Sequence, residues 1–274
     1  MKLAITYHEE FGLSGDPVLK HRVIPSFQAL QKIINDKQIK VFTPQICSEL
    51  IDTVKQVHTP SYLHEVKSSG FYENALLSTA SVLQSAKLLL HKTVQSTFAY
   101  TGCAGHHAGR SRFWGYCYLN DVAITIHNLR KEGLKRFLIL DVDPHFGDGT
   151  REFFQDDPNV IHINFCQAMF SRLDTQFHNY DYALRTGTDE EFLEILDRAL
   201  NPAYEFELMI VIFGHDSHYL DYGDFHLWDP TYPLLAEKIK KYAQGRPLLW
   251  ALSGGSHVGV AQTVIPSIID TLAK

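Results

Sequence analysis

Two kinds of segment alternate along this chain. Short apolar runs rich in β-branched residues, "KLAITY", "STFAYT", "RFLILDV", "NVIHINF", "LMIVIFG" and "PLLWALSGG", are separated by longer stretches with helical spacing. "TPQICSELIDTVKQV" opens on a Thr-Pro start signal and sets Ile46, Leu50 and Val54 on one face, which predicts a helix from Thr43. "NALLSTASVLQSAKLLLHKTV" and "NDVAITIHNLRKEGL" carry similar periods. "TDEEFLEILDRALNPAYEF" begins with Thr188 as N-cap, and "TYPLLAEKIKKYAQG" stops at Gly245. Strands alternating with helices predict an α/β domain: a mainly parallel sheet with helices on both faces, in three layers. No repeat, low-complexity tract or linker divides the 274 residues, so one domain over 1–274 is the expectation.

In such a sheet, ligands bind beyond the carboxyl ends of the strands. Three strand ends are polar: "LILDVDPHFGDG", "IFGHDSHYLDYGD" and "WALSGGSH". Polar loops are ordinary there, and Asp residues often do no more than form turns. That alone does not explain two loops so rich in Asp and His. Residues i and i+2 of an extended segment share a side, so Asp141, Asp143 and His145 line up. Asp143 and His145 suit one cation, with Asp141 supporting them. Spacing leaves the third ligand open among Asp216, His218, Asp221 and Asp224. Two carboxylates and one imidazole match Zn(2+), or Fe(2+) and similar divalent ions, with a position left for water.

"GCAGHHAGRSRFWGYCYLND" adds adjacent histidines, His106 and His107, which a regular strand would turn opposite ways. Gly105 and Gly109 permit an irregular backbone that brings both to one pocket. Such a pair beside a cation is suited to acid–base work. The aromatics Phe113, Trp114, Tyr116 and Tyr118 can wall a slot for a long thin side chain. Arg110 and Arg112 read first as solvated loop cations, with binding of an anionic acyl group or the substrate surface as the alternative. The N-terminal "YHEEFGLSGDP" reads as a rim loop or a structural turn.

Other features narrow the class. A net charge of -6 argues against a broad nucleic-acid footprint. The 4 cysteines form no CxxC pair, so a disulfide framework is not expected. The N-terminal apolar run is too short for a signal peptide, and no stretch approaches the ~18 apolar residues of a membrane span. A cytoplasmic protein is the expectation.

Taken together and in order, "VHTPSYL", "GHHAG", "GYCYLNDVAI", "DVDPHFGDGT", "LRTGTDEEFL", "GHDSHYLD" and "LSGG" resemble the histone deacetylase superfamily, including acetylpolyamine amidohydrolases. The resemblance implies an arginase-like α/β fold and zinc-dependent removal of acyl groups from acyl-lysine or acylated polyamines. It implies metal ligands Asp143, His145 and Asp221, with Asp216 holding the loop. His106 would be oriented by Asp141, beside a monovalent-cation (K+) site, and His107 would be backed by Asp148. Tyr116, with Gly115, Gly254 and Gly255, would line the substrate channel. Three departures stand out. Phe146 replaces a second His, and "NFC" (Asn164–Cys166) replaces the usual S-x-H. The third is the absence of the Tyr that follows the Gly pair in many active members, whose hydroxyl stabilises the oxyanion. Here Ser256 and His257 follow instead, and Tyr219 or Tyr222 is a further source of the hydroxyl. Low activity on simple acetyl-lysine is therefore an expectation. The alternatives are a metal-holding pseudoenzyme that binds acylated ligands or a protein partner, and an Fe(II) oxygenase.

Overall fold

One sheet organises the computed structural model, which describes residues 2–274. Its strands are β1 (Leu3–Thr6), β2 (Lys40–Phe42), β3 (Ser96–Ala99), β4 (Phe137–Asp141), β5 (Val160–Gln167), β6 (Arg172–Asp174), β7 (Asn179–Leu184), β8 (Leu208–Phe213) and β9 (Leu248–Leu252). The order is β2-β1-β3-β9-β8-β4-β5-β7-β6, parallel throughout except for the β6–β7 pair. The helices are α1 (Glu10–Leu13), α2 (Val23–Ala29), α3 (Gln31–Lys37), α4 (Ser48–Val57), α5 (Pro60–Ser68), α6 (Tyr72–Leu90), α7 (Asp121–Lys131), α8 (Asp148–Phe154), α9 (Asp189–Ala199), α10 (Thr231–Ala243) and α11 (Val258–Ala273).

The central strands are apolar on both faces because both faces are covered. Leu138 and Leu140 of β4, Val211 of β8 and Trp250 of β9 pack with residues of α9, α10 and α11. Ile139, Ile210 and Leu249, one residue along, pack with α4, α5, α6 and α7 on the other face. The α/β expectation is borne out, and the alternation explains it: side chains on a strand switch faces at every residue. Truncating a buried leucine such as Leu140 to Ala would cost about 2–5 kcal/mol.

All six expected strands form. β2, β6 and β7 were not foreseen. β2 and β6 are short edge strands with mostly exposed side chains, and β7 ("NYDYAL") is largely polar. Helix α4 starts at Ser48 rather than Thr43, since Ile46 faces solvent and the buried stripe begins only at Leu50. The Thr-Pro start signal operates instead at α5, where the Thr59 side chain accepts from Tyr62 N and Pro60 opens the helix. α9 ends at Ala199, ahead of Pro202, which cannot donate a helical hydrogen bond. α11 is not among the expected helices, although its buried residues Val260, Ala261, Val264, Ile265, Ile268, Ile269 and Leu272 recur at helical spacing; Pro266 inside it is a helix-breaking signal that the packing overrides. "YHEEFGLSGDP" is structural rather than a rim: it holds α1, and buried Asp16 accepts from Tyr118 Oη at 2.9 Å.

The topology places β3, β9, β8 and β4 side by side. Their four carboxyl ends therefore open onto one region, and all the polar strand ends singled out above meet there.

Candidate metal centre and active site

β4 ends at Asp141, whose side chain is fully buried. Asp143 sits two residues on, also fully buried, and ties three segments together. Its Oδ1 accepts from His145 N at 3.1 Å and faces His145 Nδ1 at 3.0 Å. Its Oδ2 accepts from Gly254 N, just past β9, at 3.0 Å. Asp216 arrives from the short helical turn after β8. Its Oδ2 lies 3.2 Å from His145 Nδ1 but is not aligned for a hydrogen bond, and both of its carboxylate oxygens are buried with no donor.

Asp143, His145 and Asp216 offer ligand atoms within 4.8 Å of one another. Buried anionic oxygens without donors are costly unless a cation or proton offsets them. Within this pair Asp143 keeps its charge. Burial opposes ionisation, but the positive charge of His106 and the contacts of His145 hold the carboxyl well below its usual range. Asp216 is pushed upward, first by burial and then by the charge of Asp143. The same two carboxylates draw the His145 imidazole up to about 11 against the opposing effect of burial. The donor set thus fits a divalent cation.

Asp221, expected as the third ligand, has its carboxylate engaged by other groups. It accepts from Ser256 N and His257 N, each at 3.0 Å, and lies 2.9 Å from His215 Nδ1. Asp216, expected only to hold the loop, joins the cluster. The local reason is chain direction. Asp216 is three residues past β8 and is held over the sheet by the helical turn, whereas Asp221 has passed on to the loop that follows β9.

The tandem histidines lie in the irregular segment between β3 and α7. Asn120 Nδ2 donates to Ala108 O at 3.0 Å, and His58 Nδ1 donates to Gly109 O at 2.8 Å while its Nε2 accepts from Asn120 N. These bonds fold the segment so that the two rings lie 4.0 Å apart. Gly105 and Gly109 do not need left-handed backbone; Gly115 does, at φ 58°, and a side chain there would run into the His107 ring.

The two imidazoles differ in charge. His106 Nδ1 is 2.9 Å from Asp141 Oδ2 and its Nε2 is 3.8 Å from Asp143 Oδ2. Burial disfavours its charged form, yet Asp143 and Asp141 overcome this and raise it to about 9. His107 Nδ1 is 2.7 Å from Asp148 Oδ1. Burial and the neighbouring His106 charge depress it to about 4 despite Asp148. Trp114 stacks on His107 with ring centroids 3.7 Å apart, and its Nε1 donates to Asp148 at 3.2 Å. Arg112, expected to be solvated, also donates to Asp148, at 2.9 Å, and pairs with Glu152.

A cavity of 310 Å³ is lined by His106, His107, Asp143, His145 and Asp216 together with Trp114, Gly115, Tyr116, Tyr222 and Gly254. Of the residues expected in the channel, Gly115, Tyr116 and Gly254 line this cavity and Gly255 does not. A larger cleft of 640 Å³ adjoins it and shares Trp114 and His145. Ser256 and His257 do not line the cavity: Ser256 Oγ donates to Asp221 at 3.1 Å, and the His257 ring caps α11 by accepting from Val260 N. Buried Arg22 pins this loop, donating to the carbonyls of Ser253, Gly254 and Gly255. No sequence signal marked Arg22, and His58 appeared only within "VHTPSYL" with no role attached, since both act through backbone groups distant along the chain. Phe146 packs beneath the Arg151 guanidinium at 5.4 Å, and Asn164 Oδ1 accepts from Gly147 N at 3.1 Å.

The histone deacetylase domain family model matches residues 64–272. A probable deacetylase of Archaeoglobus fulgidus is 27% identical over 81% of this chain and 71% of its own length. An acetylpolyamine amidohydrolase of Mycoplana ramosa is 31% identical over 70% of this chain and 60% of its own length. A histone deacetylase of Schizosaccharomyces pombe is 25% identical over 86% of this chain but only 39% of its own length. The chain thus spans less than two thirds of the latter two proteins.

Proposed function

The chain belongs to the histone deacetylase domain family, a family of enzymes that hydrolyse amide bonds, and from that premise we propose that it is a zinc-dependent deacylase of acyl-lysine or acylated polyamines. The observation that carries this reading is the convergence of Asp143, His145 and Asp216 at the foot of a cavity flanked by His106 and His107. A divalent cation held by those three residues would polarise the acyl carbonyl and acidify water beside it.

The chain's own groups do the rest. His107 is neutral at pH 7, so its free Nε2 takes the proton of the attacking water while Asp148 holds the tautomer. His106, kept as an imidazolium, places positive charge where the carbonyl oxygen gains negative charge. The proton on His107 then passes to the departing amine. The aromatic walls formed by Trp114, Tyr116 and Tyr222 suit an extended alkylamine. A K+ ion beside Asp141 belongs to the same proposal. Four free cysteines suit a reducing cytoplasm, and no described helix is long and apolar enough to cross a membrane.

The test is a panel of acetyl-lysine peptides, longer acyl-lysines and acetylpolyamines with zinc-loaded protein. Release of free amine, lost on chelation and in His107→Ala, is the expected result. Tight binding of acyl-lysine without any turnover would replace the enzyme with a reader of acylated ligands.

A further inference from the structure

We propose that Tyr222 supplies the hydroxyl that donates to the carbonyl oxygen as it takes up charge, a role that rests on reading the site as an amide hydrolase. Hydrolysis of an amide places negative charge on that oxygen, and a fixed neutral donor aimed at it is worth a large part of the rate. Few donors in the cavity are free. Trp114 Nε1 is committed to Asp148, and Gly254 N to Asp143. Of the residues that follow the glycine pair, Ser256 donates its hydroxyl to Asp221 and the His257 ring caps α11. Besides the ring nitrogens of His106 and His107, two phenols remain in the lining, Tyr116 and Tyr222.

Only Tyr222 is anchored at its hydroxyl. Its oxygen accepts the Gly255 N–H at 2.9 Å. Gly255 follows Gly254, where a side chain would collide with the carboxylates of Asp216 and Asp143. The hydroxyl is therefore held beside the carboxylate pair, with one lone pair occupied and no described acceptor for its own proton. Its ring lies 5.9 Å from the His145 ring and 6.2 Å, edge-on, from that of Tyr116. Burial and the charges of Asp216 and Asp143 push the phenol's ionisation upward, so it stays protonated and able to donate. The backbone N–H that fixes the oxygen also polarises the O–H. The donor thus comes from the loop after β8, not from the loop after β9.

The experiment compares wild type, Tyr222→Phe and Tyr219→Phe, all zinc-loaded. Tyr219 is the control, because its ring stacks on Trp228 at 3.7 Å, outside the cavity. Tyr222→Phe should lower kcat by about 10²–10³ with KM within about threefold. Calorimetry with a trifluoromethyl-ketone analogue of acetyl-lysine, which binds as its tetrahedral hydrate, should show a similar loss of affinity with zinc stoichiometry unchanged. Because Phe also strips the Gly255 N–H of its acceptor, 3-fluorotyrosine at position 222 is the second variant. It keeps the acceptor and strengthens the donor, so ketone affinity should match or exceed wild type. Equal ketone affinity in wild type and Tyr222→Phe, or a fluorotyrosine protein as weak as Phe, overturns the role of Tyr222 alone. A zinc-loaded wild type that neither binds the ketone nor turns over any acylamine overturns the hydrolase reading along with it.

Discussion

The floor and the rim of the cavity are built differently. On the floor, Asp141, Asp143 and Asp216 leave β4 and β8, adjacent parallel strands whose register pairs Asp141 with Ile212. The backbone there is fixed by the sheet ladder, so a side chain's direction follows from its distance beyond the strand. On the rim, Trp114, Tyr116 and Tyr222 sit on loops whose shape is set by distant partners: His58, Asn120, Arg22 and Asp221. A sheet edge makes chemistry hard to relocate. Loops let an equivalent group arrive from another segment.

The largest effect that separates the two regions is on the floor. Asp216→Asn should abolish turnover and weaken zinc binding by more than the roughly 10–100-fold cost of losing an outer partner of a ligand. Asp221→Asn should retain zinc near wild-type affinity while loosening the loop after β9. Zinc titration of both variants decides it, and a reversed ranking would assign the third ligand to Asp221.

His107→Ala comes next, with an expected loss of about 10²–10⁴ in kcat. Asp148→Asn should lose less, because the ring also stays packed against Trp114. Single-turnover assays on the best substrate would rank the two.

A third prediction concerns stability. Burial lowers His58 from its ordinary 6.5 to about 4, and both ring nitrogens bond to backbone, so the folded state holds it neutral. The unfolded chain therefore binds this proton first as pH falls. The stabilisation is present above pH 6.5 and is lost progressively toward pH 4, by about 3 kcal/mol at most. Urea melts of wild type should show that slope, and His58→Gln should flatten it. An unchanged slope would mean the segment carrying the histidines does not depend on His58.

The smallest effects belong to the outer rim. Trp114→Phe keeps the stacking but loses the bond to Asp148, and activity should fall by about tenfold or less. Arg112 is half exposed, so Arg112→Ala should change kcat by less than about threefold at moderate salt. A much larger loss in Arg112→Ala would show that the ion pair with Asp148, rather than burial, governs His107.

Much of the floor was legible. The i, i+2 spacing of Asp141, Asp143 and His145 places them together because an extended backbone leaves little choice. The tandem histidines were legible as a pair, but the difference in their charge was not. That difference comes from Asp141 and Asp143 beneath one ring, and from burial and a charged neighbour at the other. Arg112 looked solvated because nothing near it in sequence reveals Asp148, 36 residues away.

The α/β layering, the polar strand ends and the residue types of the site are readable from the chain alone, because helix and strand periods are local properties of it. Only packing brings Asp216 into one group with Asp143 and His145, lines the cavity with a phenol of the loop after β8 and turns Ser256 toward Asp221. Covalent spacing limits which atoms of one segment can meet. Which atoms of two segments do meet is settled by packing and by backbone hydrogen bonds formed across the sheet's end.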